Sequence, residues 1–252
     1  MAETRNLVAC PRDELFADEC KRATDFDFGK KTAAVFDDML GRSVPFYAEI
    51  QRMTAELVSD FVTSGDQIYD LGCSTCNTFL EIDSRLDSAM HVRFVGLDSS
   101  QEMLDKARAK LVASGFRHNY ELRLADLDES PEVRDANVVI LTLTLQFVRP
   151  IYRERLLQEI FDGLNAGGVL ILVEKVLGEH SIYNRLFIDH YYEFKQRQGY
   201  SRLEISQKRE ALENVLIPYR HSENVALLRH VGFQQIDTFF RWYNFCAMAA
   251  MK

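Results

Sequence analysis

The order of apolar and polar residues predicts helices at the start of the chain and alternating strands and helices after them. Over residues 32–62 apolar residues recur at helical spacing, which predicts two helices that break near Ser43-Val44-Pro45. Further along, short apolar runs alternate with helical stretches. The predicted strands cover residues 67–71, 92–97, 120–124, 138–143 and 169–173, and the predicted helices begin near residues 77, 100 and 151. Such alternation is typical of a parallel sheet with helices on both faces.

The last third of the chain has a different pattern. Residues 178–214 form a helical stretch, and residues 222–230 predict one more short helix. Two apolar runs, residues 234–242 and 245–251, then predict an antiparallel pair that closes the sheet. Before this region, Asn165-Ala166-Gly167-Gly168 is predicted to be a helix C-cap and tight turn.

Composition favours one folded unit. We predict a loosely ordered segment over residues 1–25, which has many charges and little periodicity, and one domain over residues 26–252 with a helical insertion near 178–214. The formal charge of −8 does not favour a broad nucleic-acid surface. Because neither a signal peptide nor a membrane span is apparent, we expect a cytoplasmic protein that does not associate with membranes. Five cysteines, an odd and scattered set, favour reduced thiols.

Acidic residues follow three successive predicted strands. Residues 70–74, Asp-Leu-Gly-Cys-Ser, end the first strand and open onto a helix, where Gly72 allows a ligand to approach the backbone. Asp98 ends the second strand and is placed to accept hydrogen bonds from ribose hydroxyls. After the third strand, Asp126 is placed to accept from an adenine amino group while Leu127 packs on the ring. Together these residues predict a nucleotide site.

The strand-end aspartates, the loop and the cysteine pair each allow another interpretation. Each aspartate alone is also what an ordinary polar strand end would show, but the recurrence at three strand ends favours a site. A dinucleotide oxidoreductase is disfavoured because the loop lacks the second and third glycines of its motif. Cys73-x-x-Cys76 has no second cysteine or histidine pair at metal spacing, so no metal is expected.

These residues resemble the carboxy-S-adenosyl-L-methionine synthase family. The resemblance runs from about residue 26 to the C-terminus and is densest in Arg42-Ser43-Val44-Pro45, residues 69–74, Thr144-Leu145-Gln146-Phe147, Val173-Glu174-Lys175 and Leu-Glu-Ile-Ser-Gln-Lys-Arg at 203–209, followed by 212–214. It implies a Rossmann-like class I methyltransferase fold, that is, an α/β fold with a mostly parallel seven-stranded sheet, a C-terminal antiparallel hairpin and a helical cap. It also implies a homodimer.

The resemblance implies an unusual reaction. Prephenate supplies a carboxyl group to the methyl carbon of S-adenosylmethionine (SAM), giving carboxy-SAM and phenylpyruvate for tRNA wobble-uridine modification. Arg209 matches the family's ligand for the new carboxylate, with Tyr47 as its hydroxyl partner; arginine grips carboxylates bidentately. These two are the candidate catalytic residues. The candidate SAM-binding residues are Tyr47, Asp70, Gly72, Cys73, Ser74, Asp98, Ser99, Asp126, Leu127, Thr142 and Arg209.

Two residues depart from the family pattern. Cys76 replaces a glycine, so we expect its side chain near the methionine part of the ligand and a change in the loop's backbone angles. Thr142 replaces an asparagine, which removes one expected hydrogen bond to SAM. Both departures favour the alternative of an ordinary small-molecule methyltransferase.

Further alternatives concern single residues and other classes of protein. Arg209 could form a surface ion pair with Glu213, four residues on, and Tyr47 could be a core residue. The aromatic residues His190, Tyr191 and Tyr192 are expected to pack a helix and are not assigned to catalysis.

A non-catalytic SAM-binding protein would keep Asp98 and Asp126 without needing Arg209. A tRNA methyltransferase is disfavoured, because the chain is acidic and has no RNA-binding module.

Overall fold

The computed structural model describes residues 10–19 and 25–252. The helices are α1 Lys30–Ser43, α2 Tyr47–Phe61, α3 Asn77–Arg85, α4 Gln101–Ser114, α5 Pro150–Gly163, α6 Ser181–Arg197, α7 Arg202–Leu212 and α8 His221–His230. The strands are β1 Gln67–Leu71, β2 Arg93–Asp98, β3 Asn119–Leu124, β4 Ala136–Thr142, β5 Leu164–Lys175, β6 Gln235–Trp242 and β7 Phe245–Met251, and a 3-10 turn covers Leu145–Phe147.

The seven strands form one sheet in the order β3-β2-β1-β4-β5-β7-β6. Strands β1 to β5 run parallel, and β7 enters antiparallel between β5 and β6. The predicted fold class, a mostly parallel sheet with a C-terminal antiparallel hairpin, is therefore confirmed. Helices α1 and α2 precede the sheet, as the spacing over residues 32–62 predicts.

The core lies on both faces of the central strands. Ile140 and Ile171 face one apolar cluster, while Val139 and Leu141 face the other. This alternation follows from the two-residue period of a strand, and apolar side chains on both faces are what a parallel sheet covered by helices requires. Each fully buried aliphatic side chain stabilises the fold by about 1.5–3 kcal/mol.

The prediction of a helix C-cap and turn at residues 165–168 is wrong. Strand β5 begins at Leu164, directly after α5, and runs through these residues. Its pairing with β4 is irregular there, and Gly167 adopts a φ of +77°. The amide of Gly167 and the carbonyl of Gly168 bond the backbone of Lys252. The two glycines therefore form a bulge in a paired strand, and Gly167 supplies the left-handed backbone that the bulge needs.

The N-terminal segment is described in part. The prediction of loose order over residues 1–25 falls partly on residues 1–9 and 20–24, which lie outside the described residues. Among residues 10–19, most side chains are exposed or half-buried, and Asp13 is buried. The carboxylate of Asp13 accepts a hydrogen bond from the hydroxyl of Tyr200 at 2.5 Å, and its backbone amide donates to Asp38 at 2.7 Å.

No helix within residues 10–19 and 25–252 has the length and apolar character needed to cross a membrane.

Candidate functional site

A cavity of about 400 Å³ opens at the carboxyl ends of the parallel strands. Ligands of open α/β sheets bind at this edge. All eleven sequence-predicted site residues line this one cavity: Tyr47, Asp70, Gly72, Cys73, Ser74, Asp98, Ser99, Asp126, Leu127, Thr142 and Arg209. Their roles in binding and catalysis stay predictions.

The loop after β1 has an unusual backbone. Gly72, Ser74 and Cys76 adopt φ values of +79°, +48° and +59°. At Gly72 an added Cβ would lie 2.5 Å from the side chain of Thr144, so glycine is required both by its backbone angle and by space. Left-handed non-glycine residues store strain, and such strain concentrates at functional sites.

Asp98 supports this loop from the end of β2. One carboxylate oxygen accepts the backbone amide of Ser74 at 2.9 Å, and the other accepts that of Ser100 at 2.9 Å. Each oxygen keeps a second lone pair for a ligand hydroxyl. Burial raises the pKa of Asp98, and the backbone donors oppose that rise. Ser99, next in the chain, is exposed at the cavity edge.

Asp126 and Leu127 follow β3 and differ in burial. Asp126 is exposed, and one carboxylate oxygen accepts the backbone amide of Asp128 at 2.9 Å. Leu127 is buried in the cavity wall. A polar acceptor beside a buried apolar side chain suits the amino group and the face of an adenine ring, which is what the sequence predicts.

Asp70 is a buried carboxyl group with one oxygen, Oδ1, that has no hydrogen-bond partner among the described residues. Burial, followed by the charge of Asp98, raises its pKa to about 7, while a hydrogen bond from Thr78 opposes the rise. An unpartnered buried acceptor is costly, so it points to a donor that a ligand supplies.

A polar network that the sequence analysis missed fastens the loop from α1. The carboxylate of Asp37 accepts hydrogen bonds from Thr75 at 2.6 Å, from Asn77 at 3.0 Å and from Lys110 at 2.9 Å. Because these partners lie 38 to 73 positions away in sequence, no local motif reveals the network.

The expectation for Cys76 is wrong. Its φ of +59° and ψ of +36° lie in the left-handed region, which a glycine adopts without strain. The side chain is fully buried in the apolar core and is absent from the described cavity lining. Holding a non-glycine residue there costs about 1–2 kcal/mol, which the buried thiol offsets by packing.

Thr142 ends β4 on the cavity wall. Its hydroxyl oxygen is buried and has no hydrogen-bond partner within the described residues. A hydroxyl donates and accepts, so Thr142 offers a ligand one polar contact where asparagine would offer an amide.

Tyr47 lies on α2 with its hydroxyl in the cavity wall. The hydroxyl accepts a hydrogen bond from the Asn77 side chain at 3.3 Å. Burial is the main cause that raises the pKa of the Tyr47 phenol, so the group stays neutral at physiological pH.

Arg209 lies on α7 at the cavity edge and is exposed. The alternative ion pair with Glu213 is not formed, and the guanidinium has no hydrogen bond or ion pair among the residues that the structure describes. An arginine with its fork of donors open to a cavity is suited to a carboxylate ligand.

Three lysines that the sequence analysis missed line the cavity beside Arg209. Lys175 ends β5, Lys195 lies on α6, and Lys208 precedes Arg209 on α7. Tyr191 and Tyr192 of α6, expected only to pack, also line the cavity. We call the four cationic residues Lys175, Lys195, Lys208 and Arg209 the basic wall. Lys175 could have been found by the strand-end rule that identified Asp98, whereas Lys195 has no such signal.

Within the described ranges, no group of three or more histidine, cysteine, aspartate or glutamate residues is arranged to hold a metal ion. Cys73 and Cys76 are buried, and burial together with the neighbouring Cys76 raises the pKa of the Cys73 thiol.

The cavity fits a SAM molecule on three counts. The backbone of Gly72, which adopts a left-handed φ of +79°, lines the cavity without a side chain. Acidic side chains stand at the ends of β1 and β2 and after β3, where ribose and adenine donors are expected. Two buried polar atoms, Asp70 Oδ1 and Thr142 Oγ1, lack partners at the cavity.

Comparison with known proteins agrees with this geometry. Residues 68–168 match the model of a methyltransferase domain. An O-methyltransferase family protein from Burkholderia thailandensis has a similar fold, with a TM-score of 0.64, 15% identity, and coverage of 87% of this chain and 58% of that one.

Curated relatives resemble the chain over nearly its whole length. The carboxy-S-adenosyl-L-methionine synthase of Methylococcus capsulatus is 52% identical over 96% of this chain and 99% of its own. That of Wolinella succinogenes is 43% identical over 96% and 98%. With this identity and coverage, the chain belongs to the carboxy-S-adenosyl-L-methionine synthase family.

Proposed function

We propose that the protein makes carboxy-SAM from SAM and prephenate. SAM supplies the sulfonium methyl group that accepts the carboxyl group. The carboxyl group leaves the ring of prephenate, and the ring hydroxyl departs with the methyl proton as water, which leaves phenylpyruvate. The atoms on the two sides then balance.

The open guanidinium of Arg209 is the observation that carries this proposal. Arg209 lies on the same cavity as the three acidic strand ends and has no competing partner among the described residues. We propose that it binds the carboxylate of the product bidentately while Asp98 and Asp126 hold the nucleoside. The neutral hydroxyl of Tyr47 supplies a further donor at the cavity wall.

The alternatives have less support. Cys76 and Thr142 were the reasons to consider an ordinary methyltransferase, but Cys76 is buried away from the cavity and Thr142 still presents a polar atom to it. A methyltransferase acting on an amine would also place a cation against the basic wall. A non-catalytic SAM-binding protein has no use for an unpaired Arg209.

Mass spectrometry tests the proposal. The protein is incubated with SAM and prephenate, and the small molecules are compared with those from SAM alone. We expect a species heavier than SAM by one CO2, together with phenylpyruvate in equal amount. SAM that is unchanged in the presence of prephenate would contradict the proposal, and a methylated acceptor would favour the alternative enzyme.

We infer further that the protein works as a homodimer in the cytoplasm and supplies carboxy-SAM to a separate tRNA-modifying enzyme. Ile182, Tyr183 and Leu186 form an exposed apolar face on α6, with 69%, 56% and 45% of each residue accessible. Adjacent exposed apolar side chains suit contact with a second copy. The net charge of −8 fits a protein that acts on metabolites and leaves RNA to a partner.

The oligomeric state is measured by light scattering on wild type and on Ile182→Glu. We expect a dimer that the substitution weakens, because a charge is placed in the proposed contact. A wild-type monomer would contradict the inference.

A further inference from the structure

The basic wall gathers four cations from three elements that are distant in sequence. Lys175 comes from the end of β5, Lys195 from α6, and Lys208 and Arg209 from α7. Lys195 is buried beside the positive charges of Lys175, Lys208 and Arg209. Like charges repel, so this grouping is unfavourable unless something negative completes it.

The partners of these cations differ. The ammonium of Lys208 lies 3.5 Å from the carboxylate of Asp13 and 3.2 Å from the hydroxyl of Ser43. Lys175 and Lys195 have no ion pair or side-chain hydrogen bond among the described residues. Their ammonium groups instead lie 5.1 Å and 4.6 Å from the ring centre of Tyr191.

Contact with a ring does not replace an anion. A buried ammonium group without a carboxylate is costly, and a cation–π contact recovers only part of that cost. Burial accordingly lowers the pKa of Lys175 to about 8 and that of Lys195 to about 7. Two such groups around one ring form a site that is suited to an anion.

No carboxylate in the part of the chain that the structure describes forms an ion pair with Lys175 or Lys195. Asp98 is on β2, three strands from β5 in the sheet, which corresponds to about 14 Å at the usual strand spacing. Glu213, the carboxylate that follows α7 on the cavity wall, is exposed and forms no ion pair with the lysines in the described part of the chain.

We propose that Lys175 and Lys195 form a second anion subsite that holds the carboxylate which the co-substrate keeps, while Arg209 receives the carboxylate that is transferred. This inference rests on the proposed function, because prephenate has two carboxylates and phenylpyruvate retains one of them. The subsite orients prephenate so that its ring carboxylate faces the methyl group of SAM. The co-substrate class is thus a dicarboxylate.

The test uses Lys175→Met and Lys195→Met, which keep the volume of the apolar stem and remove the charge. We expect the KM for prephenate to rise on the order of 10- to 100-fold in each, with the KM for SAM within about twofold of wild type. Binding of phenylpyruvate, measured by calorimetry, should weaken in both variants and persist in Arg209→Leu. Lys252→Met is the matched control, since Lys252 also lies over an aromatic ring, that of Phe161, away from the cavity.

Thermal unfolding separates a binding role from a structural one. Without ligand, both lysine variants should unfold at a higher temperature than wild type, because a buried unpaired charge has been removed. Wild-type KM values for prephenate in both variants, or lower unfolding temperatures with both KM values raised, would overturn the subsite. Failure of the proposed function is distinct, because wild type itself would then make no carboxy-SAM.

Discussion

The cavity has an acidic end, formed by Asp70, Asp98 and Asp126, which we call the nucleotide end, and a basic end, formed by the basic wall. The two ends differ in charge and in the contacts that their charged groups make. At the nucleotide end, Asp98 is held by two backbone amides. At the basic wall, the ammonium groups of Lys175 and Lys195 lie over the ring of Tyr191 and form no ion pair within residues 10–19 and 25–252. The carboxylate of Asp98 is therefore held in position by the protein itself. The positive charges of the basic wall repel one another, and an anionic ligand would relieve this repulsion.

This difference explains how one fold can serve an unusual reaction. The acidic end rests on β1, β2 and β3, the part of the sheet that overlaps the matched methyltransferase domain. All four cations lie beyond residue 168, where that match ends, with Lys175 at the end of β5 and the other three on α6 and α7. The acidic residues proposed to bind the nucleoside thus lie within the matched methyltransferase domain, and the cations proposed to bind the anionic co-substrate lie after it.

The largest expected effect is that of Arg209→Leu. Removing the guanidinium leaves the product carboxylate without its bidentate partner, so kcat/KM for carboxy-SAM formation should fall by on the order of 100-fold or more. SAM affinity should change little, because the nucleotide end is intact. Product formation is followed by mass spectrometry, with Arg202→Leu on the same helix as control. Equal activity of Arg209→Leu and Arg202→Leu would contradict the proposal that Arg209 binds the product carboxylate.

At the other end, Asp98→Asn should weaken SAM binding by about 10- to 100-fold. The variant loses the charge that accepts ligand hydroxyls and part of the support for the amide of Ser74. Calorimetry measures the dissociation constant, and exposed Asp105→Asn on α4 is the control. If Asp98→Asn left the affinity for SAM unchanged, the proposal that Asp98 binds the nucleoside would be contradicted.

Asp70→Asn should stabilise the ligand-free protein while weakening SAM binding. The pKa of Asp70 is raised to about 7 in the folded state, so folding favours the protonated carboxyl group. That contribution is present at low pH and is lost as the pH rises from about 4 to 7. The gain from Asn should therefore appear over this interval and reach roughly 1–3 kcal/mol above pH 7.

Urea unfolding at pH 5 and pH 8 measures the Asp70→Asn effect, with exposed Asp189→Asn as control. A variant that is less stable than wild type at pH 8 would show that the Asp70 carboxylate has a stabilising partner.

The smallest effect is expected in the pH dependence of prephenate binding. Lysines are charged below their pKa, and those of Lys195 and Lys175 are lowered to about 7 and 8. Their neighbours are Lys208 and Arg209 on α7 and the rings of Tyr191 and Tyr192, while Asp13 pairs with Lys208. The KM for prephenate should rise severalfold from pH 7 to 9. Lys195→Met should flatten this profile, and a wild-type KM independent of pH would argue against charged lysines.

The two ends also differ in how far the sequence predicts them. Asp98 and Asp126 follow apolar runs, and the carboxyl ends of parallel strands meet at one edge, so their convergence follows from local pattern. Lys195 lies within a helix whose sequence shows no comparable signal. Lys195 comes beside Lys175 only when α6 packs near the end of β5, which is a long-range contact.

Substitutions inside recognised motifs show the same limit. The change from the family's glycine to Cys76 suggests an altered loop, yet the residue keeps the left-handed backbone and turns its thiol into the core. The direction of a side chain depends on the packing around it, which the identity of the residue does not specify. The glycines at 167 and 168 were misassigned because the partner that completes their pairing is Lys252, at the far end of the chain.

The sequence by itself determined the α/β class, the C-terminal antiparallel pair and the convergence of the three acidic strand ends on one cavity, because apolar periodicity and strand-end chemistry are local. Only the tertiary structure decided that Arg209 has no ion pair within the described ranges, that the Cys76 side chain lies in the core, and that Lys175 and Lys195 lie over one tyrosine ring. Burial and charge pairing arise between distant segments, so they exist only after the helices have packed on the sheet.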